Sequence, residues 1–275
     1  MERLHPTGPH PESPERQRVL LESLQDWKEA ELATEDDVAR CHDRLYIERI
    51  RDISGPTWLD PDTVGSDTSY EGAMLSAGAA LEAVRQEAFA IGRPPGHHAL
   101  PTRAMGFCLF GNAAIAARYA QAELGVERVA IVDWDVHHGN GTQEIFWNDP
   151  SVFFASLHQW PFYPGSGGPE EQNETTLNVP LPAGSGDADY LRAFAEKVEP
   201  AVAGFDPEIV IVSAGFDAHE EDPLAMMEVT EHGFLELARR SAALAPRCAA
   251  VLEGGYNLET LPRLVDAALE GFSAA

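Results

Sequence analysis

Five short apolar runs, at residues 88–91, 128–132, 152–157, 208–212 and 248–252, constrain this chain more than any other feature, because each runs straight into polar residues. Each is too short for a helix and has the length and character of a buried strand. Stretches with helical spacing lie between and after them, at 111–124, 187–203, 230–245 and 258–272. This alternation predicts an α/β fold of doubly wound type, a mostly parallel sheet with helices on both faces. Upstream, 14–30 and 34–52 have helical spacing, and 70–86 reads as an alanine-rich helix with Asp67, Thr68 and Ser69 as candidate caps. No fixed-period repeat divides the chain, so residues 1–275 read as a single domain, long enough to bury a core without staples.

Charge narrows the partners. Nineteen Lys and Arg against 45 Asp and Glu give a formal charge of -26, which repels phosphate backbones and anionic lipid and argues against direct nucleic-acid or membrane binding. No apolar run approaches the ~18 residues of a membrane span, and the charged, proline-bearing N-terminus lacks a leader's apolar stretch; a cytoplasmic location is expected. Cys41, Cys108 and Cys248 lie far apart without CxxC spacing, so reduced thiols are expected. Lys28 and Lys197 are the only lysines. Such a carboxylate-rich surface suits a salt-laden cytoplasm, and equally a merely acidic mesophilic protein.

In sheets of this type ligands gather where loops leave the carboxyl ends of the strands. The first run exits into Arg93-Pro94-Pro95-Gly96-His97-His98 and the second into Asp133-Trp134-Asp135-Val136-His137-His138. The third leads to His158, the fourth to Ser213-Ala214-Gly215-Phe216-Asp217, and the fifth to Glu253-Gly254-Gly255-Tyr256. If the backbone stays extended past Val132, Asp133, Asp135 and His137 share one face. With Asp217 from another strand end they make the donor set of a catalytic Zn²⁺, three protein ligands and one open position; Fe²⁺ or Co²⁺ tolerates the same donors. Spacing alone does not say which of Asp133 and Asp135 is the ligand. Taken singly, a strand-end aspartate is more often a helix cap and paired histidines occur on ordinary loops. The joint occurrence at several strand ends carries the metal reading.

The ordered motifs RPPGHHA, GFCLFGNAA, DWDVHHGNGTQEIF, SLHQWPFYPGSG, SAGFDAH and LEGGYN resemble the zinc-dependent histone deacetylase family, which includes acetylpolyamine amidohydrolases and acetoin-utilisation proteins. Asn140 and the DPL triplet after Asp217 look more like its class II and prokaryotic branches. The resemblance implies the arginase-like α/β fold, with zinc on Asp135, His137 and Asp217. It makes Asp133 the partner of His97, His98 the general base and then acid, and Tyr256 the donor to the developing oxyanion. Phe107, Tyr163 and Leu224 would wall a narrow acyl-lysine channel, Tyr163 replacing the commoner phenylalanine. The Gly106 carbonyl would accept the substrate amide, and Gly255 would border the bound acyl group. A structural K⁺ among backbone oxygens near Asp133, Asp135, His137, Ser156 and Leu157 is also implied.

The implied substrates are acetylated lysine side chains of proteins or acetylated polyamines, both favoured at an acidic surface. Asp62 or Asp67 is a candidate to grip a peptide backbone. Two other readings compete: a binuclear manganese ureohydrolase of the same fold, against which Asn140 offers no carboxylate, and a non-catalytic acyl-ligand binding protein, against which His98 and Tyr256 both stand. The relatives' usual first strand has no counterpart before GPHPESPER, which implies a shortened sheet edge.

Overall fold

A computed structural model describes residues 4–274. The N-terminal third supplies α1 (Pro14–Ser23), α2 (Glu35–Val38), α3 (Arg44–Arg51), the two-stranded antiparallel hairpin β1 (Thr57–Trp58) and β2 (Val64–Gly65), and α4 (Ser69–Gln86). The chain then alternates through β3 (Phe89–Ala90), α5 (Asn112–Glu123), β4 (Val129–Asp133), α6 (Asn140–Phe146), β5 (Val152–Gln159) and β6 (Thr176–Leu181). It continues with α7 (Asp187–Ala193), a π-helical turn at Phe194–Val198, α8 (Glu199–Phe205), β7 (Ile209–Ala214), α9 (Glu231–Ala242), β8 (Cys248–Leu252) and α10 (Leu261–Ser273).

Six strands form one parallel sheet in the order β3-β8-β7-β4-β5-β6. The period-two alternation of a strand divides their side chains between two cores. Ile131, Ile209 and Ile211 pack with the alanines of α4 and α5 on one face, while Val132, Val210 and Val212 pack with Phe234, Leu237 and Leu264 of α9 and α10 on the other. Burial on both faces explains why these strands are continuous apolar runs. Among the described residues, no helix is long and apolar enough to cross a membrane.

Several expected boundaries move. The helix expected over 14–30 stops at Ser23, and 34–52 splits into α2 and α3. Of the three candidate caps, Thr68 takes the N-cap position of α4 without a side-chain cap bond, Ser69 is the first helical residue, and Asp67 Oδ1 accepts the Gly55 N–H at 2.8 Å. The sixth strand, β6, and the hairpin escaped sequence reading. β6 contains Asn178 and Pro180 and is only partly apolar, as an edge strand paired along one side permits. The opposite edge, β3, is two residues long.

Candidate active site

All six strands are parallel, so every exit lies along one margin of the sheet. After β4 the chain adds strands in one direction, to β5 and β6, and later in the other, to β7 and β8. The reversal lies between β4 and β7, whose ends are level, Asp133 opposite Ser213. A crevice at such a reversal is where ligands bind in open α/β sheets, and Asp135, His137 and Asp217 flank it.

The local geometry differs from an extended run. β4 ends at Asp133, and two successive tight turns follow: the Asp135 N–H donates to Asp133 Oδ1 at 3.0 Å and the His137 N–H donates to Asp135 Oδ1 at 2.9 Å. These are Asx turns, and they, with strand pleating ended, bring residues 135 and 137 together. From β7, Asp217 is oriented by the Val136 N–H on its Oδ1 (3.0 Å), and Asp135 Oδ2 accepts the Gly254 N–H (2.8 Å). His137 Nδ1 lies 3.1 Å from both Asp135 Oδ1 and Asp217 Oδ2. One donor atom from each of the three lies within 4.8 Å of the others. A Cβ on Gly254 would collide with both carboxylates, so glycine there leaves the cradle open.

The charges suit a cation. Burial works against a charge on His137, but the Asp135 and Asp217 carboxylates prevail and push its pKa up to about 10. Burial and then the Asp135 charge hold the Asp217 carboxyl above its usual range. Two buried carboxylates thus compete for one proton on one imidazole, and oxygen and nitrogen donors in this ratio fit a zinc-type divalent ion. A second cluster, His97, Cys108 and Glu253, is equally compact but already engaged. Glu253 Oε2 accepts the Gly96 and His97 N–H groups (2.6 and 3.1 Å), and the Cys108 thiol donates to the Gly106 carbonyl at 3.3 Å.

Tertiary structure separates Asp133 from Asp135, since Asp133 Oδ2 lies 2.9 Å from His97 Nδ1. The adjacent histidines meet opposite environments. Burial opposes charge on His97, yet Asp135 and Asp133 hold its pKa well above the ordinary value. Burial, then the charges of His97 and His137, hold His98 well below it. His98 Nδ1 lies 2.7 Å from Asn140 Oδ1, an acceptor, so Nδ1 carries the proton and Nε2 is left unprotonated. Gly106 backs this ring: its φ is +55° and a Cβ there would strike His98.

Aromatic rings surround the crevice. Tyr163 meets His98 edge-on at 5.3 Å between centroids, Phe162 stacks on His137 at 5.3 Å, and Phe107 meets Tyr256 edge-on at 5.7 Å. Leu224 is half-buried in the loop after β7. Burial, then the Asp217 charge, keeps the Tyr256 hydroxyl well above its usual range and so protonated. The hairpin tip reaches this rim, Thr63 Oγ1 accepting the Phe107 N–H at 3.0 Å and the Asp62 carbonyl meeting His10 Nε2 at 3.0 Å. Asp67 is exposed, with Oδ1 accepting the Gly55 N–H at the hairpin base. Sequence reading missed Phe162, Asn140 as the His98 partner, Glu253, and Arg16, whose Nε donates to the Gly255 carbonyl at 2.7 Å with the guanidinium 4.9 Å over the Tyr256 ring. The visible signal was placement within motifs already singled out.

Comparison with known proteins identifies the family. The profile of the histone deacetylase domain matches residues 10–272. A rice protein named Histone deacetylase 10, chloroplastic, is 42% identical over 297 residues, covering 95% of this chain, which spans 64% of that relative's length. The histone deacetylase-like amidohydrolase of Pseudomonas aeruginosa is 42% identical over 92% of this chain and 74% of its own length. A probable deacetylase of Archaeoglobus fulgidus is 40% identical over 94% of this chain and 76% of its own. Among solved structures, the HDA15 HD domain superposes with a TM-score of 0.92 at 36% identity, over 98% of this chain and 86% of that one. Sheet, crevice and sequence together make this chain a member of the histone deacetylase domain family.

Proposed function

We propose that this protein is a zinc-dependent amidohydrolase that removes acetyl or other short acyl groups from acyl-lysine side chains or acylated polyamines. The observation that carries this reading is the convergence of Asp135, His137 and Asp217 beside an unprotonated His98 nitrogen and a protonated Tyr256. Zinc held by those three residues supplies, when bound, a Lewis acid for the acyl carbonyl and for the attacking water. His98 Nε2 takes the proton of that water and returns it to the departing amine. Asp133 fixes the neighbouring His97 ring through Nδ1. The Tyr256 hydroxyl donates to the carbonyl oxygen as charge builds on it. Phe107, Tyr163 and Leu224 line the methylene stem of the substrate and exclude water, the Gly106 carbonyl accepts the amide N–H, and Gly255 borders the acyl group.

Acetyl-lysine peptide hydrolysis, measured with the chain stripped of metal and then reloaded, tests the reading. Zinc is expected to bind at close to one equivalent and to restore turnover, and Asp217→Ala or His137→Ala to abolish both binding and turnover. Full zinc occupancy in Asp217→Ala would refute the ligand assignment, and two equivalents in the parent chain would favour a binuclear site.

A further inference from the structure

The DPL triplet, Asp222-Pro223-Leu224, contains a carboxylate that the proposed reaction does not use. Asp222 is 8% exposed. Its Oδ2 accepts the Tyr256 N–H at 2.7 Å across 34 residues of sequence, and its Oδ1 accepts the Leu224 N–H at 3.0 Å. The Tyr256 N–H and the Gly255 carbonyl belong to one peptide unit. The carbonyl side of that unit is held by Arg16 Nε at 2.7 Å, so a guanidinium grips one edge of the peptide plane and the Asp222 carboxyl group grips the other. The need for such a grip is local. Tyr256 follows Gly254 and Gly255, which have no side chains to fix the loop, and Gly255 stands at φ +117°, a region where glycine alone moves freely. The peptide plane sets the direction in which the Tyr256 side chain leaves the backbone.

We propose that Asp222 is a positioning residue that locks the Gly255–Tyr256 peptide plane, aims the Tyr256 hydroxyl at the reacting carbonyl, and ties the channel segment at Leu224 to it. This rests on the role assigned to Tyr256 in the proposed reaction. The Tyr256 and Leu224 N–H groups both donate to this one buried carboxyl group, which joins the two loops through a single side chain. The local Oδ1 bond is an Asx turn that a serine at 222 can remake, whereas a serine hydroxyl is too short to reach Tyr256. Asp222→Ser therefore removes the long-range tie and keeps the local one.

The test compares the zinc-loaded parent chain, Asp222→Ser, Tyr256→Phe and the double variant on one acetyl-lysine peptide, with zinc content, melting temperature and amide exchange at Tyr256. Asp222→Ser is expected to lower kcat about ten- to a hundredfold with KM within about threefold, because a misaimed hydroxyl is felt mainly in the transition state. It should also speed exchange of the Tyr256 amide. In the Tyr256→Phe background the same substitution should cost less than about threefold more, since a residue acting through another is non-additive with it. Multiplying effects, an unchanged kcat, or unchanged Tyr256 exchange would overturn the inference. If Asp222→Ser loses zinc or fails to fold, Asp222→Asn, which keeps the shape but can accept only one of the Tyr256 and Leu224 N–H groups, takes its place, with amide exchange showing which bond is lost; failure of both would make the role structural and reject the proposal. Tyr256→Phe with normal kcat would instead remove the assignment on which the inference stands.

Discussion

His97 and His98 show how far one residue's chemistry depends on what it faces. They are the same side chain in consecutive positions, with rings 4.0 Å apart, yet carboxylates raise one pKa and burial with neighbouring cations lowers the other. Acid–base function at this site is thus set by partners that lie 36 and 42 residues away, Asp133 and Asn140. Tyr256 depends likewise on its surroundings, since its protonated hydroxyl is useful only if aimed at a developing negative charge. Tyr256→Phe is expected to keep zinc and fold and to lower kcat by ~10² to 10³, with KM moving far less. A packing tyrosine in a glycine-rich turn would give the reverse, a lower melting temperature and nearly normal turnover, so both quantities measured together decide the matter.

At the scale of elements, the site is made by exits and their anchors. The segment between α2 and α3 offers one such anchor: His42 Nε2 accepts the N–H of Gly111, the residue capping α5, at 2.8 Å, and Nδ1 donates to the Leu100 carbonyl at 3.1 Å. The Gly111 bond requires the neutral ring, since protonated Nε2 cannot accept, and burial pushes the pKa from 6.5 down to about 4. The folded state therefore resists a proton that the unfolded chain accepts. This contribution is fully present above pH 6.5 and is lost as pH falls from there to about 4, a difference of about 3 kcal/mol. An imidazole titration followed by NMR is expected to place His42 near 4; a midpoint near 6.5 would remove this source of acid lability. Elements also explain the misread boundaries. The strand ends were legible because β4, β7 and β8 are apolar on both faces, whereas β6 is a partly polar edge and the 57–65 hairpin is too short to show a period.

For the whole molecule the strongest electrostatic influence is the charge of -26, much of it on exposed carboxylates. Many arginines are already paired, as Arg44 is with Asp36 and Arg263 with Glu221, which leaves most of the acidic surface uncompensated. Molar potassium chloride shortens the Debye length to about 3 Å and is expected to raise the melting temperature by relieving that repulsion. A flat or falling melting temperature between low and molar salt would leave the composition without this explanation. The sequence by itself determined the strand–helix alternation, the two-faced burial of the central strands, and the kinds of donor standing at each strand exit, because periodicity and local composition are properties of neighbours along the chain. Only the tertiary structure decided that Asp135 and not Asp133 joins His137 and Asp217, that Asn140 orients His98, and that Asp222, Glu253 and Arg16 brace the loops around them. Those choices rest on which strands lie side by side at the β4–β7 reversal and on single hydrogen bonds spanning 34 to 239 residues, distances over which no local pattern carries information.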